Sequence, residues 1–418
     1  MIILVILVIY GFLWSLANVY NVYPLFNYHV ISRKIKKTRR KHELPKHLPK
    51  ISILLPAYHE EGILPYSIER IFETNYPKRL IEVLILMEKD DFETVKVAEI
   101  LSKKYEIRHL KVKAYGLPRG KPRALNFGLK YVTGNIVGVI DAEDVIDRNL
   151  FNKVTSLISS GYDVVQGILD MTNDKDGFMN MHMRAEYRYW YKFYMPSLML
   201  SSFPVPLGGS TNFFKREVLR EMKGWDPFNV TEDFDIGLRM YNKQDYKISM
   251  IKSTTREESP TTFVSWLKQR TRWQRGKIHT LRKILKNPPS EIEKKFHSFM
   301  ISMLPHMGVI NLTGFAFSVF AVISRVILPL WLYPLFIFNG AMLIFYIVMH
   351  GYNYFKALRK SRKRRLIKSV LIALTLPIYW FAQWISDFRA IKQEYFGSTI
   401  FWEKTYHPGA HIRNKSKL

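Results

Sequence analysis

The sequence contains no cysteine, and this absence removes several chemistries at once. Without cysteine the protein has no disulfides, no thiolate metal ligands and no thiol nucleophile, so its catalytic groups must come from other side chains. A G-x-G-x-x-G segment is also missing, which argues against a dinucleotide-dependent enzyme. The 418 residues are nevertheless enough to bury a full enzyme core.

Acidic residues are scarce relative to basic ones: 35 Asp and Glu stand against 63 Lys and Arg, a formal charge of +28. This balance suggests an acidic partner such as nucleic acid, an anionic membrane surface or a phosphate-bearing substrate. Two dense basic runs, at 33–41 and 356–368, lie directly beside long uncharged stretches. Such placement is typical of positive-inside topology and lipid headgroup contacts. The charge therefore indicates a lipid bilayer, and not nucleic acid, as the partner.

The first apolar stretch, residues 2–22, carries no charge and is long enough to cross a bilayer as a helix. It has no basic region before it and no small-x-small cleavage site. The sequence thus favours an uncleaved anchor at 1–25 over a cleaved signal peptide. By the positive-inside rule, the basic run that follows places the chain from Arg33 onward in the cytoplasm.

Three further uncharged or nearly uncharged stretches follow, at 304–325, 327–350 and 369–386. They predict a C-terminal membrane region at 296–388 with two to three helices. Pro377 lies in the middle of the last stretch and would kink a helix there. Four full spans would leave the tail, 389–418, outside the cell. A re-entrant or interfacial helix at Pro377 would instead keep the tail in the cytoplasm.

The region between the membrane segments, 42–295, is the predicted catalytic domain. Short apolar runs typical of buried strands alternate with helical patterns. The strand-like runs are 51–55, 81–87 and 136–140, and the helical stretches between them include 94–105 and 123–131. This alternation predicts an α/β fold with a mostly parallel sheet and helices on both faces. Ligands of such folds bind at the carboxyl ends of the strands, so the residues after each strand are the candidates.

Polar and aromatic residues follow the first two strands. The first segment supplies Pro56, Ala57, Tyr58 and Glu60. An aromatic ring there could stack on a base and a carboxylate could bind a ribose, although an ordinary strand-to-helix turn is an equal alternative. After the second strand, Asp90 or Asp91 could hold a nucleoside or could cap the next helix.

Charged residues also mark the next helix and the next strand end. Lys121 and Arg123 open a predicted helix, and a helix N-terminus with cations beside it suits a diphosphate. Asp141, Glu143 and Asp144 follow the strand at 136–140, and such close carboxylates repel one another unless a cation neutralises them. Their hard oxygen atoms suit Mg²⁺ or Mn²⁺. A solvated basic turn and a solvated acidic loop are the alternatives.

Three later segments complete the set. A glycine-rich segment lets the backbone approach a ligand closely, and a second acidic cluster could accept a proton from an attacking hydroxyl. A segment with arginines and a tryptophan suits a sugar ring beside a pyrophosphate. The candidates in these segments are Gly209, Ser210, Glu232, Asp233, Gln269, Arg270, Arg272 and Trp273.

The order of these segments resembles the membrane-bound family 2 glycosyltransferases, a group that includes cellulose, hyaluronan, chitin and glucomannan synthases. DAED at 141–144 resembles the D-x-D element of the family, TED at 231–233 its catalytic-base motif, and QRTRW at 269–273 its processive Q-x-x-R-W signature. The resemblance covers 51–277, and FWEKTYH at 401–407 is similar to a tail motif of some bacterial and archaeal relatives.

The resemblance implies a GT-A-type fold and a set of roles. Asp141 and Glu143 would contact the metal and the donor diphosphate, with Asp144 an equally plausible ligand, and Asp233 would be the base. Gln269, Arg272 and Trp273 would lie near the acceptor end and the diphosphate. The usual strand-end D-D-G-S is replaced here by EKDD, where Asp90 is favoured over Glu88 as the nucleoside-binding acid.

The expected activity is an inverting, metal-dependent transfer from a UDP- or GDP-sugar that extends a β-linked polysaccharide. A single transfer to a polyprenyl phosphate or another lipid is the alternative. A non-catalytic membrane subunit is disfavoured because every expected catalytic acid is present. The expected location is the cell membrane, with the catalytic domain in the cytoplasm.

Overall fold

A computed structural model describes residues 2–38, 43–112, 118–171, 177–243, 246–306, 319–320, 323–324, 329–358 and 362–397. The described chain separates into two compact units. The sheet unit comprises 36–176 and 203–260, and the helical unit comprises 1–35, 177–202 and 261–398.

The sheet unit contains one sheet of seven strands among its described residues. They are β1 (Ile51–Ala57), β2 (Ile81–Glu88), β3 (Arg108–Val112), β4 (Ile136–Val139), β5 (Val164–Met171), β6 (Asn212–Lys215) and β7 (Ile248–Glu257). Their order is β3-β2-β1-β4-β6-β5-β7. β1 pairs in parallel with β2 and β4, β2 with β3, and β5 with β7. Only β6 runs antiparallel to its neighbours, β4 and β5. The predicted α/β class with a mostly parallel sheet is confirmed.

The helices alternate with the strands in the first half of the chain and dominate its second half. They are α1 (Ile2–Thr38), α2 (Leu64–Phe72), α3 (Phe92–Tyr105), α4 (Lys121–Leu129), α5 (Leu150–Ser159), α6 (Phe178–Tyr189), α7 (Met195–Leu200), α8 (Arg216–Glu221), α9 (Glu232–Lys243), α10 (Phe263–Lys286), α11 (Ile292–Ser302), α12 (Tyr333–Ala357) and α13 (Arg362–Phe396). A π-helical turn, Trp190–Tyr194, joins α6 to α7.

The central strands are apolar on both sides because helices cover both faces of the sheet. All eight residues of β2 are buried. Along β1, Ile53 and Leu55 pack into one hydrophobic cluster, and Leu54 between them packs into the other. This alternation follows from the two-residue period of a strand. It produces two cores, one on each face of the sheet.

Glu82 is a buried carboxylate that fastens the start of β2 to its surroundings. Its oxygens accept hydrogen bonds from the Thr133 backbone N–H at 2.9 Å and the Thr133 hydroxyl at 2.8 Å, and from the Ser52 hydroxyl. Burial acts to raise the pKa of Glu82, but these bonds and the nearby Lys50 ammonium bring it below its ordinary value. The ionised form is therefore the one that stabilises the fold.

Among the described residues of the helical unit, three helices are long and apolar enough to cross a membrane: Leu4–Asn27, Leu330–Lys356 and Arg362–Phe396. They confirm that apolar helices lie near both ends of the described chain. The prediction at 304–325 falls largely outside the described residues, as does the motif at 401–407. α13 continues as one helix through Pro377.

The N-terminal helix is joined to α12 by polar side chains. The Asn18 amide donates to Asn339 Oδ1 at 2.8 Å, and the Asn339 amide donates to Ser15 Oγ at 2.9 Å. Asn18 and Asn339 are both buried. Nearby, Gly11 lies so close to the Leu335 side chain that a Cβ on it would be 2.6 Å from Leu335 Cδ2. Hydrogen bonds and close packing thus both contribute to the contact between α1 and α12.

Candidate functional site

Lys121 stands at the centre of an acidic cluster in the sheet unit. It is the first residue of α4, whose N-cap is Gly120. Its Nζ lies 2.5 Å from Asp141 Oδ1, donates to the Gly209 carbonyl oxygen at 2.6 Å, and lies 3.9 Å from Glu232 Oε1. The sheet unit therefore brings together four residues that are separated by up to 111 positions in sequence, 121 to 232.

The charges of this cluster are strongly coupled because water is largely excluded. Burial raises the pKa of Asp141, while the Lys121 ammonium opposes that increase. Burial and the adjacent Asp233 raise the pKa of Glu232 to about 7, despite the opposing effect of Lys121. Burial acts to lower the pKa of Lys121, but Asp141 and Glu232 bring it above its ordinary value. One ammonium thus holds together carboxylates that repel one another.

Asp144 lies behind Asp141 and is almost completely buried. The Ser210 hydroxyl donates to Asp144 Oδ2 and accepts a hydrogen bond from the Asp141 backbone N–H at 3.1 Å. Burial, with the nearby carboxylates of Asp141 and Glu143, raises the pKa of Asp144 well above its ordinary value. Its Oδ1 is buried and has no hydrogen-bond partner among the described residues.

The carboxylates of this cluster fit a divalent metal ion that also binds a substrate phosphate. Within the described part of the chain, no three His, Asp or Glu side chains converge closely enough to form a complete protein cage. Asp141 and Asp144 nevertheless offer hard oxygen atoms, and no donor in the described part of the chain bonds to Oδ1 of Asp144. Mg²⁺ is commonly bound by one or two carboxylates together with substrate phosphates and water. The residues therefore fit a metal that is bound jointly with a diphosphate.

The glycine-rich segment is held in place by Gln166, a residue that the sequence analysis missed. Gln166 lies in β5 with no exposed surface. Its amide donates to the Ser210 carbonyl at 2.9 Å, and its Oε1 accepts from the Gly208 N–H at 2.9 Å. Thr211 next to them has a φ of 54°, which is unusual for a β-branched residue. The sequence feature that could have identified Gln166 is its position as a polar residue within an apolar strand pattern.

Asp233 occupies the first turn of α9, where the helix dipole favours a carboxylate. Its Oδ1 accepts from the Phe234 backbone N–H at 2.8 Å. A Cβ on Gly209 would lie 3.4 Å from Asp233 Oδ2 and 3.8 Å from Lys121 Nζ. The predicted base and the Lys121 ammonium therefore both lie beside Gly209.

A close approach at Gly237 holds α9 in position. A Cβ on Gly237 would lie 2.3 Å from the carbonyl oxygen of Val205, so only glycine permits this approach of the helix to the segment before Gly208. Asp235, buried in the same helix, accepts from Arg239 Nε at 2.6 Å. Asp235 thus has a structural contact within its own helix, whereas Asp233 faces the cluster.

A second polar group lies beyond β1 and β2. Asp91 caps α3 by accepting from the Thr94 N–H at 3.4 Å. The neighbouring Asp90 side chain is 56% exposed and pairs with Arg119 at 2.6 Å. The Arg119 guanidinium also donates to the Tyr58 hydroxyl at 3.3 Å. Asp91 is thus the helix cap and Asp90 remains accessible, with Arg119 as a partner that sequence reasoning missed.

The remaining candidates of the sheet unit lie around this group. Pro56 and Ala57 form the end of β1 instead of following it, since that strand extends to Ala57. The Glu60 backbone N–H donates to Thr94 Oγ1 at 3.1 Å. Arg123 is buried and pairs with Glu88, which ties α4 to the end of β2.

The QRTRW segment lies on α10 in the helical unit. Arg270 donates to both carboxylate oxygens of Glu186, at 2.8 and 2.5 Å, and its guanidinium lies 4.6 Å from the centre of the Trp273 ring. Burial acts to raise the pKa of Glu186, but Arg270 brings it below its ordinary value. Gln269 is buried and Arg272 is partly buried. Arg270 and Trp273 therefore form one packed group.

Comparison with known proteins gives a consistent result. The family model Glycosyltransferase like family 2 matches residues 49–276, more than half of the chain. "Probable glycosyltransferase YdaM" of Bacillus subtilis is 24% identical over 400 residues, which are 92% of each chain. "Beta-monoglucosyldiacylglycerol synthase" of Synechocystis is 25% identical over 230 residues, and the match spans about half of each protein, 54% and 48%.

The fold also has a solved counterpart. The mannosyltransferase PcManGT from Pyrobaculum calidifontis, solved with GDP-Man and Mn²⁺, aligns with a TM-score of 0.53 at 15% identity. The alignment covers 93% of this chain and 100% of that one. At this identity the likeness concerns the fold alone.

Proposed function

We propose, from the premise that the chain belongs to glycosyltransferase family 2, that it transfers a sugar from a UDP- or GDP-sugar with inversion at the anomeric carbon. Family membership confirms the expected enzyme class, a glycosyltransferase. The observation that carries the proposal is the convergence of Lys121, Asp141 and Asp233 around the Gly209 backbone. This cluster combines a cation for phosphate, carboxylates for a metal and a candidate base.

The donor would bind along the carboxyl ends of β1, β2 and β4. Tyr58 and Asp90 are accessible for a nucleoside, and the Lys121 ammonium at the start of α4 suits its diphosphate. Asp141, with Glu143 or Asp144 as the second carboxylate, would hold Mg²⁺ or Mn²⁺ jointly with the donor diphosphate, and the ion when bound supplies Lewis-acid stabilisation of that leaving group. A solved protein of similar fold was crystallised with GDP-Man and Mn²⁺, which supports this choice of ligands.

Asp233 would act as the general base. Its carboxylate takes the proton from the acceptor hydroxyl while that oxygen attacks C1 of the donor sugar. The bond between C1 and the diphosphate oxygen breaks on the opposite face, and the diphosphate leaves with the electron pair. A single displacement of this kind inverts the anomeric carbon, so an α-linked donor gives a β-glycoside.

The acceptor would be a growing glycan, with Gln269, Arg270, Arg272 and Trp273 at its binding site. A tryptophan with arginines beside it suits a sugar ring next to a pyrophosphate. Three helices long and apolar enough to span a bilayer support an integral protein of the cell membrane. The basic run at 33–41 favours a cytoplasmic sheet unit, from which a product could be exported through the membrane.

A single transfer to a lipid acceptor is a second candidate. The relative from Synechocystis is by its name a β-monoglucosyldiacylglycerol synthase, and a diacylglycerol or polyprenyl acceptor would also explain the apolar helices. Product length separates the two reactions.

The test is to incubate the full-length protein in detergent with radiolabelled UDP- and GDP-sugars and Mg²⁺ or Mn²⁺. Products are sized on a gel and extracted with organic solvent. A long water-soluble ladder from one donor is expected for a polysaccharide synthase, whereas a single organic-soluble product supports the lipid acceptor. Absence of any transfer or donor hydrolysis, with every donor and both metals, would contradict the proposed activity.

A further inference from the structure

Glu186 is a carboxylate on which two other helices of the helical unit converge. Arg270 of α10 donates to both of its oxygens, at 2.8 and 2.5 Å. The Tyr379 hydroxyl of α13 donates to Oε2 at 2.8 Å. Arg270 and Tyr379 are only 4% and 2% exposed. Paired N–H donors on one carboxylate fix the guanidinium plane in position and in angle.

The fixed guanidinium in turn orients Trp273. Arg270 and Trp273 are three residues apart on α10, so they lie on the same side of the helix. The guanidinium carbon is 4.6 Å from the centre of the Trp273 ring, within the range of a cation–π contact. Tyr187, the residue after Glu186, has its ring centre 6.2 Å from that of Trp273. The indole is partly exposed and can still receive a ligand.

The packing of α10 on α13 does not depend on Glu186 alone. Gln274 donates to Asp387 at 2.6 Å, and Glu394 lies 3.5 Å from both Arg275 and Arg282. These contacts join the same two helices further along α10. They provide a comparison, since their loss should affect helix packing without changing Arg270.

We propose that Glu186 and Tyr379 are positioning residues that act through Arg270 to orient the Trp273 indole as the platform for the acceptor sugar. The inference rests on the proposed function, because it assigns the acceptor to Trp273. It also makes acceptor binding depend on α13, a helix apolar enough to span a membrane. A sugar ring stacks on an indole only at a defined tilt, so a rotation of that ring weakens acceptor binding and leaves the donor unaffected.

The test uses the full-length protein in detergent and compares transfer to an acceptor with hydrolysis of the donor by water. The variants are Glu186→Gln, Tyr379→Phe and Arg270→Lys, and Glu394→Gln is the matched control. We expect Glu186→Gln to raise the acceptor KM by about tenfold, the effect of losing one charged hydrogen-bond pair. For Glu186→Gln and Tyr379→Phe, the donor KM and the rate of donor hydrolysis should stay near wild type. Tyr379→Phe should show a smaller increase, since one neutral donor is lost.

Arg270→Lys separates charge from geometry. Lysine keeps the positive charge but lacks the planar fork that fits a carboxylate and stacks on a ring. It should therefore behave like Glu186→Gln. Glu394→Gln should lower the Tm and leave the acceptor KM unchanged. If Glu186→Gln instead reduces hydrolysis and transfer equally, with the same Tm decrease as Glu394→Gln, the role of Glu186 is structural and the inference is wrong.

A spectroscopic measurement tests the inference apart from catalysis. The chain has nine tryptophans, so the near-UV circular dichroism of Trp273 is obtained as the difference between wild type and Trp273→Phe. Glu186→Gln should lose most of this difference, whereas Glu394→Gln should retain it. An unchanged Trp273 signal in Glu186→Gln overturns the inference even if the protein transfers sugar. If the wild-type protein neither transfers a sugar nor hydrolyses any donor, the proposed function is wrong. The circular dichroism measurement then still tests whether Glu186 orients Trp273.

Discussion

Replacement of Asp233 by asparagine is the most direct test of the chemistry in the sheet unit. The substitution retains the shape of the side chain and an Oδ1 that can accept from the Phe234 N–H, now at 2.8 Å. What it removes is the basicity of the group and one negative charge in the cluster around Lys121. The backbone of α9 is therefore expected to remain as it is, while the acceptor hydroxyl loses its base.

The size of the effect follows from the role assigned to the carboxylate. General-base assistance contributes about 10²–10⁴-fold to the rate of a proton-transfer-assisted step. At about 1.4 kcal/mol for each factor of ten, that is roughly 3–5 kcal/mol of transition-state stabilisation. Donor binding should be retained or become tighter, because a negative charge near the diphosphate is removed. The expected result is a kcat lower by at least about 100-fold with an unchanged or lower donor KM.

The matched control is Asp235→Asn, two residues along the same helix. Asp233 is partly buried and Asp235 is buried, and the Asp235 carboxylate pairs with Arg239 of its own helix at 2.6 Å. Its replacement should cost about 1–3 kcal/mol of stability and leave kcat close to wild type. Transfer rates, donor KM and Tm are measured for both variants. The reasoning is refuted if Asp233→Asn transfers sugar within about threefold of wild type, well below the lower limit for a general base.

Three further predictions concern the sheet unit. Glu82→Gln should lower stability by about 1–3 kcal/mol at pH 7. Folding lowers the pKa of Glu82, so this contribution is fully present above the ordinary carboxyl pKa of 4.5. It is lost as the pH falls through the lower pKa of the folded state, so the Tm values of mutant and wild type should converge as the pH is lowered below 4.5. Gly237→Ala should lower both Tm and kcat, since its methyl group meets the Val205 carbonyl at 2.3 Å; equal Tm values would contradict this. Lys121→Gln should raise the Kd for UDP or GDP by about tenfold or more, measured by calorimetry with Mn²⁺ present, since a charge-assisted bond is lost; an unchanged Kd would show that Lys121 does not bind the diphosphate.

The sequence was most informative where local pattern and tertiary position agree. The apolar runs of β1, β2 and β4 predicted a parallel sheet, and carboxyl ends of parallel strands meet at one edge. Asp141 follows that rule after β4, and its Oδ1 lies 2.5 Å from Nζ of Lys121, which opens α4 as predicted. The family resemblance is also confirmed at the level of the family. The roles of individual residues and the domain boundaries remain predictions.

The features that the sequence did not predict depend on contacts between distant residues or on patterns that are too short to interpret. The four-residue β6 has too short a pattern to show its antiparallel direction. In the sequence nothing distinguishes Arg119 from the other basic residues, whereas in the structure it bonds to Asp90 and Tyr58. Glu186 is 84 positions from Arg270, and nothing in a helical pattern identifies such a partner. Residues that orient another side chain are therefore visible in the structure and could not be predicted from the sequence.

The bonds between Asn18, Asn339 and Ser15 bear on how the protein can be prepared. A shortened version that begins after α1 would remove the three partners of the Asn339 side chain at Gly11, Ser15 and Asn18 and leave that amide in apolar surroundings. An unsatisfied polar group in an apolar environment costs several kcal/mol, comparable to the total stability of many domains. Removing the first helix in order to improve solubility is thus a poor strategy, because that helix is a structural part of the bundle and not a detachable tether.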